Sequence, residues 1–220
     1  IVDSCGSSKQ IPQIEHIRGK PTNLGDSNIY FETETFCDCS YEKGITQIFK
    51  KMNCDNGKSF TIEETYDSLY GPDPYVFVAD EGAGIGKVWD SVTDYCGFHI
   101  NDCGKTMGLS AYGCENDEMP DLFLDDTANR DLVKAYYPHR AELNVFKYDF
   151  LDDADWAKED LTKSNGRRDM AFKVQKETQE QVLQLILKAS EMSGRKNVVL
   201  SGGYALNCVS NYYYLDKLKE

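Results

Sequence analysis

One long amphipathic stretch, together with the glycine turn after it, constrains this chain most. Across residues 169–193, Val174, Thr178, Val182, Leu185, Ile186 and Ala189 fall on one side of a 3.6-residue period, which predicts a helix packed by that stripe. Gly194 ends it, and Arg195 and Lys196 come next, where cations suit the negative end of a helix. Residues 197–200 then read as a buried, parallel-type strand running into Ser201-Gly202-Gly203, with a new helix from Leu206 onward. Helix, short turn, strand, glycine turn, helix is the layout of an α/β domain with a loop at the carboxyl end of a strand, where ligands bind. Paired glycines let a backbone approach a ligand closely, and amides at the next helix start favour an anion such as phosphate. A tight connection with no ligand uses the same residues.

Upstream, residues 1–7 read as a strand end running into a Gly/Ser turn, and residues 11–18 as a second strand by their alternation. Residues 29–36 are rich in β-formers, and residues 75–79 are a short apolar strand. Ile45, Ile48, Phe49 and Met52 are spaced for a short helix, and Thr61 with Glu64 makes a capping box for another over 61–69. Between 83 and 98, Val88, Trp89, Val92, Tyr95 and Cys96 share one helical face that Gly97 ends. Residues 101–113 read as a Gly-rich loop, and the acidic stretches 114–131 and 149–160 as solvated surface.

Composition excludes some classes of function. No run approaches the roughly 18 apolar residues of a membrane-spanning helix, and no basic segment leading into an apolar run marks a leader. A soluble cytoplasmic protein with no membrane partner is expected. Lys plus Arg number 24 against 37 Asp plus Glu, a net charge of −13. That balance argues against a nucleic-acid binder, which needs clustered cations, while leaving room for a small basic pocket. The eight cysteines, Cys5, Cys37, Cys39, Cys54, Cys96, Cys103, Cys114 and Cys208, include no C-x-x-C pair. A chain of this length buries a core without disulfides, so reduced thiols are expected, with Cys96 and Cys208 buried.

Taken singly, the ionisable residues say less. Asp3 stands at a strand end, where a carboxylate can hold a metal. His16, His99 and His139 show no ligand spacing and read as structural or surface residues. Lys105 lies in a stretch that lacks the G-x-x-x-x-G-K-[ST] order of a phosphate loop and reads as a surface lysine. Asp90 reads as a solvent-facing helix carboxylate.

Three segments together resemble the O-carbamoyltransferase family of nodulation-factor and antibiotic-tailoring enzymes. They are Gly104-Lys105-Thr106-Met107-Gly108-Leu109-Ser110-Ala111-Tyr112-Gly113, the helix from Asp169, and Leu200-Ser201-Gly202-Gly203-Tyr204-Ala205-Leu206-Asn207-Cys208. The stretch from Gly86 to Tyr95-Cys96-Gly97-Phe98 fits the segment that precedes the lysine motif. The resemblance implies part of an actin-like ATPase, ribonuclease-H-like α/β superfold. It implies transfer of a carbamoyl group from carbamoyl-adenylate, made from carbamoyl phosphate and ATP, to a hydroxyl-bearing acceptor. Fe2+ or another divalent metal is implied as cofactor. By the same resemblance Ser201, Gly202, Gly203 and Asn207 contact the nucleotide phosphate and ribose region, Asp90 sits near the ribose, and Lys105 and Gly108 line the same cleft. Asp3 aligns with a metal-ligand aspartate, and Ser4, Cys5, Gly6 and Ser7 with the adjoining phosphate loop.

Where the family has D-G-x-G-E, this chain has Asp3-Ser4-Cys5-Gly6-Ser7. The family's upstream histidine pair and its downstream adenylate-forming domain have no counterpart here. Residues 1–220 are therefore expected to be part of the carbamoyl-transfer domain, without a complete metal site or the first half-reaction. A non-catalytic nucleotide-binding piece, a tRNA threonylcarbamoyl-transfer relative and a kinase of the same superfold are the alternatives. The catalytic residues, the acceptor and the oligomeric state stay open.

Overall fold

A three-residue turn, Tyr41-Glu42-Lys43, leads into Gly44 with φ of 71° and folds two long strands onto each other. These are β2 (Ile29–Ser40) and β3 (Gly44–Asn53), paired antiparallel with Ser40 opposite Gly44. The computed structural model describes Val2 and residues 8–10, 29–53, 60–62, 76–80, 83–136, 139–144 and 165–219. With β1 (Ser8–Gln10), β4 (Phe60–Ile62) and β5 (Val76–Asp80), the hairpin forms a mixed sheet in the order β1-β2-β3-β5-β4. Only β3 and β5 run parallel.

The helix expected over residues 45–52 is instead strand β3. Its apolar spacing fits a helix as well as a strand, but β2 and β5 satisfy its backbone on both edges and Phe49 stacks on Phe36 at 4.5 Å. Sheet pairing outweighs the local pattern. Likewise Thr61 caps no helix; it lies in β4 opposite Val78. The strands expected over 29–36 and 75–79 are present as β2 and β5. The strand proposed over 11–18 and the acidic stretch 149–160 lie outside the described residues.

Helix α1 (Ile85–Tyr95) is the centre of the structure. Every residue from Ile85 to Thr93 is buried, because the helix is enclosed by α3 (Asn165–Ser193) and by the hairpin of β8 (Val133–Tyr136) and β9 (Arg140–Leu143). Val88, Val92 and Cys96 meet Leu122, Leu132, Met170 and Val174 in the core. Asp90 is therefore buried at 7% exposure rather than solvent-facing. Residues 103–110, expected to be loop, form helix α2 (Cys103–Ser110) despite two glycines. Its end is fixed at Gly113, where a Cβ would overlap the Arg168 carbonyl of α3.

The acidic stretch 114–131 is only partly surface. It folds into turns and the small hairpin of β6 (Phe123–Leu124) and β7 (Thr127–Ala128), burying Met119, Leu122 and Phe123. Glu177 on α3 accepts the backbone N–H groups of Leu122 and Phe123 at 2.8 and 3.2 Å, while Lys173 holds Asp121 at 2.9 Å. Asp121 and Glu115 pair with Lys173 and Lys176 of α3 while Met119, Leu122 and Phe123 enter the core; Leu124 stays 58% exposed.

Helix α3 buries Val174, Thr178, Val182 and Ile186 as its stripe predicts, and Gly194 comes after it with φ of 66°. Among the described residues no strand forms over 197–200, where one is expected. Val198 and Val199 are 45% and 90% exposed, and no described strand pairs with them. After a 3-10 turn at Gly203–Leu206, α4 (Cys208–Lys217) begins as expected. No described helix is long and apolar enough to cross a membrane.

Candidate functional site

A cavity of about 520 Å3 opens where α1, α2, the Gly203–Leu206 turn and the β8–β9 connection meet. The first two turns of α1 supply one wall: Gly86, Lys87, Trp89 and Asp90. Lys87 and Asp90 are three residues apart, so they share a helix face. Lys87 Nζ lies 3.4 Å from Asp90 Oδ2, with the two side chains 2% and 10% exposed. The opposite wall comes from Ile100, Asn101 and the start of α2, where Cys103, Gly104 and Met107 face in. His139, between β8 and β9, stands at the rim.

Cys103 ties these walls together. Its Sγ lies 3.1 Å from the Ile100 carbonyl and 3.9 Å from Asp90 Oδ1. Burial pushes its thiol above the ordinary cysteine range; the Thr93 hydroxyl opposes that shift and the Asp90 carboxylate adds to it. It is a poor nucleophile at neutral pH.

Tyr204 and Asn207 of the lining are held by a buried polar network behind them. Asn207 caps α4, its Oδ1 accepting the Ser210 N–H at 3.0 Å, and its Nδ2 donates to Gln175 Oε1 at 3.0 Å. Gln175 Nε2 donates to Ser210 Oγ at 2.9 Å, and the Tyr204 hydroxyl meets Thr178 and Ser210 at 3.0 and 2.9 Å. Burial raises the Tyr204 phenol above its usual value. Its ring meets Trp89 edge to face at 6.0 Å. The arrangement combines apolar surface from Trp89, Ile100, Met107 and Leu206 with polar groups on the α1 wall and at Asn207, the form of a small-molecule site.

Of the residues singled out from sequence, Asp90, Gly203 and Asn207 line this cavity. Lys105 does not: it points to solvent, 60% exposed, and pairs with Asp102 at 2.8 Å. That bond holds the Asp102 carboxyl below its ordinary range. Gly108 is also outside the lining. The Ser201 carbonyl accepts the Val2 N–H at 3.0 Å. Gly202, with φ of 98°, lies so close to Val2 that a Cβ would overlap its carbonyl. The close approach that Gly202 permits is to the chain's own backbone. Asp3, Ser4, Cys5, Gly6 and Ser7 lie outside the described residues.

Lys87, Trp89, Cys103, Met107, His139 and Tyr204 also line the cavity, and sequence pattern alone does not mark them as site residues. The i, i+3 spacing of Lys87 and Asp90 is the signal for the first; nothing in the sequence ties His139 to α1. The described cysteines Cys37, Cys39, Cys96, Cys103, Cys114 and Cys208 are free thiols, with Cys96 buried and Cys208 exposed rather than buried. Among the described residues no three His, Cys, Asp or Glu side chains are placed to hold a metal.

Residues 43–218 match the family model described as Carbamoyltransferase N-terminus. The chain belongs to that family. It is similar to Uncharacterized protein sll1178 of Synechocystis, with 31% identity over 136 residues, 58% of this chain and 22% of that protein. It is also similar to Nodulation protein NolNO of Sinorhizobium fredii, with 24% identity over 137 residues, 60% of this chain and 18% of that protein. The chain thus matches about a fifth of the length of these relatives.

Proposed function

We propose that the cavity holds the adenylate end of carbamoyl-adenylate in a carbamoyl-transfer reaction to an acceptor hydroxyl. The observation that carries this reading is the placement of Asp90, Gly203 and Asn207, from two separate family-like segments, on one cavity. Trp89, Ile100, Met107 and Leu206 offer apolar surface for a base or sugar face, and Asp90 can accept hydrogen bonds from a ribose diol. Backbone at the Gly203 turn would face the phosphate, with Asn207 fixing the turn through its cap on α4.

In the reaction the acceptor oxygen bonds to the carbamoyl carbon, the carbon–oxygen bond to the phosphate breaks, and AMP leaves with that oxygen. The hydroxyl proton is released to solvent as AMP departs. The divalent ion that the family resemblance implies finds no ligand cluster among the described residues, so no step is routed through it. We place the mixed sheet and its buried helix within the actin-like superfold on the same family grounds.

Titration of the full chain with AMP and ATP tests the binding half of this reading. Supplying carbamoyl-adenylate with a polyol acceptor tests the transfer half. Acceptor-dependent AMP release is expected. Absence of adenine-nucleotide affinity, or ATP consumption that needs no carbamoyl donor, overturns it.

A further inference from the structure

We propose that residues 197–200 and the outer edge of β2 are the two sides of a docking surface for one further β-strand, supplied by polypeptide joined ahead of Ile1. The inference is independent of what the cavity binds. It starts from Val2, which is 7% exposed and touches both sides. Val2 bridges Glu34 of β2 in the antiparallel sense. Its N–H donates to the Ser201 carbonyl at 3.0 Å, and its C=O accepts the Tyr204 N–H at 3.3 Å. From the N–H to the C=O of Val2 the partner advances from Ser201 to Tyr204, so these two backbones run parallel. A strand leading into Val2 therefore runs antiparallel to β2, beside residues 36–40, and parallel to residues 197–200.

Both sides present backbone there. The edge of β2 away from β3 pairs with β1 over residues 29–31, and no described strand lies against it over residues 36–40. No described residue exchanges a backbone hydrogen bond with residues 197–200. A row of such N–H and C=O groups is the template for strand addition. The side chains suit a sheet: Val198 and Val199 are 45% and 90% exposed, Leu200 packs partly against the core, and Phe36 is buried on β2. Farther from Val2 the two sides are tied to each other by Arg195, which reaches Asp38 of β2 at 2.8 Å. The surface is thus held in place at both ends. The longer relatives have the length to supply a strand, since the matched stretches are 22% and 18% of theirs. The added strand would lead into the contact of Val2 with Ser201 and Gly202, and so brace the turn that carries Gly203 and Tyr204 of the cavity wall.

The parallel register selects the amides that are used. Counting back from the Val2 bond to Ser201, the N–H groups of Ser201 and Val199 face the added strand, and those of Leu200 and Val198 face away. The test is hydrogen exchange, read residue by residue by NMR, on the full chain with a short extension of alternating Val and Thr ahead of Ile1. The reference is the same chain with a Gly-Ser extension of equal length. The Val-Thr extension should slow the Val199 and Ser201 amides about ten-fold or more, Leu200 and Val198 less, and should raise Tm. Val199→Pro removes one of the two donors and should cancel most of the gain in Tm. Equal exchange at Val199 and Ser201 in the two extended chains overturns the proposal, as does slowing confined to Leu200 and Val198. Protection of these amides in the unextended chain that grows with concentration, together with a dimer in light scattering, gives the surface to a second copy and overturns it as well. Should Val199→Pro fail to fold, the exchange comparison decides alone.

Discussion

The carboxylate of Glu34, buried on β2, accepts the backbone N–H of Ile85 at 3.0 Å. A side chain of the sheet thereby caps the helix that carries Lys87 and Asp90. The contact is close: a Cβ at Gly84 would lie 2.7 Å from Thr33 Cβ. The Thr33 hydroxyl and Lys51 complete the surroundings of the carboxylate, at 2.7 and 4.0 Å.

Glu34→Ala leaves the Ile85 amide without its acceptor inside the fold. The expected loss is about 2–3 kcal/mol of stability, from one cap and one charge-assisted bond. Glu34→Gln keeps an acceptor oxygen and should lose less. Urea unfolding monitored by circular dichroism measures both. Wild-type stability in Glu34→Ala would show that α1 is not held through this residue.

The Ser201-Gly202-Gly203 turn makes a second prediction. Gly202 combines φ of 98° with backbone contact to Val2, so Gly202→Ala is both strained and crowded. A loss of about 2 kcal/mol or more is expected. Gly104→Ala, at a helical glycine with open space beside it, should stabilise by about 0.5–1 kcal/mol. Thermal melts of the two variants should therefore move in opposite directions; equal shifts would contradict this assignment.

These two glycines show why the sequence was only partly readable. The period of α3 and of α1 is strong because each buries a wide face, so both helices are legible from residue spacing. Helix α2 is not, since Gly104 and Gly108 mimic a loop and only its packing on α1 and α3 keeps it helical. Strand β3 fails in the opposite way: Ile45, Ile48, Phe49 and Met52 fit a helix until β2 and β5 are placed beside them. In the site, Asp90, Gly203 and Asn207 come from motif resemblance. Lys105 belongs to the same motif yet faces water, because the α2 face turned to the cavity carries Cys103, Gly104 and Met107. His139 enters from a separate hairpin, a tertiary fact that local pattern cannot carry.

Arg195, just beyond α3, forks onto Asp38 of β2 with bonds of 2.8 and 3.1 Å. The bonded guanidinium holds the Asp38 carboxyl below the ordinary aspartate value of about 3.9. A depressed folded-state value stabilises above the unfolded value, and that contribution is lost as pH falls through the folded one. Arg195→Gln should accordingly be less stable than wild type at pH 7, with the gap closing below pH ~4. Both charges reach solvent, so added salt should also narrow the gap. Melting temperatures across pH decide it: a gap that is constant with pH would rule out the ion pair as its source.

Burial gives the thiols distinct reactivities. Cys103 is held above the usual range and Cys96, fully buried at the end of α1, is pushed up to about 12. Alkylation requires the thiolate, so Cys103 should label slowly at pH 7 and faster as pH rises past 9, with Cys96 slower still. AMP should protect Cys103 if it fills the cavity this residue lines. Peptide mapping after timed iodoacetamide exposure reads each site. Fast labelling of Cys103 at pH 7 would mean that water reaches its thiol freely.

Gly104 allows the cavity to be obstructed without disturbing its polar groups. It lines the cavity, and a Cβ there meets no atom within 4 Å. Gly104→Leu adds helix propensity to α2, about 0.5–1 kcal/mol over glycine, and places an isobutyl group in open space. The fold should hold or gain slightly while AMP affinity falls at least ten-fold, since ligand and side chain would compete for the same volume. Calorimetry on this variant separates cavity from surface binding: unchanged AMP affinity in a folded Gly104→Leu protein would place the nucleotide elsewhere. Loss of affinity together with retained stability would locate it between α1 and α2, against the wall that Lys87 and Asp90 form.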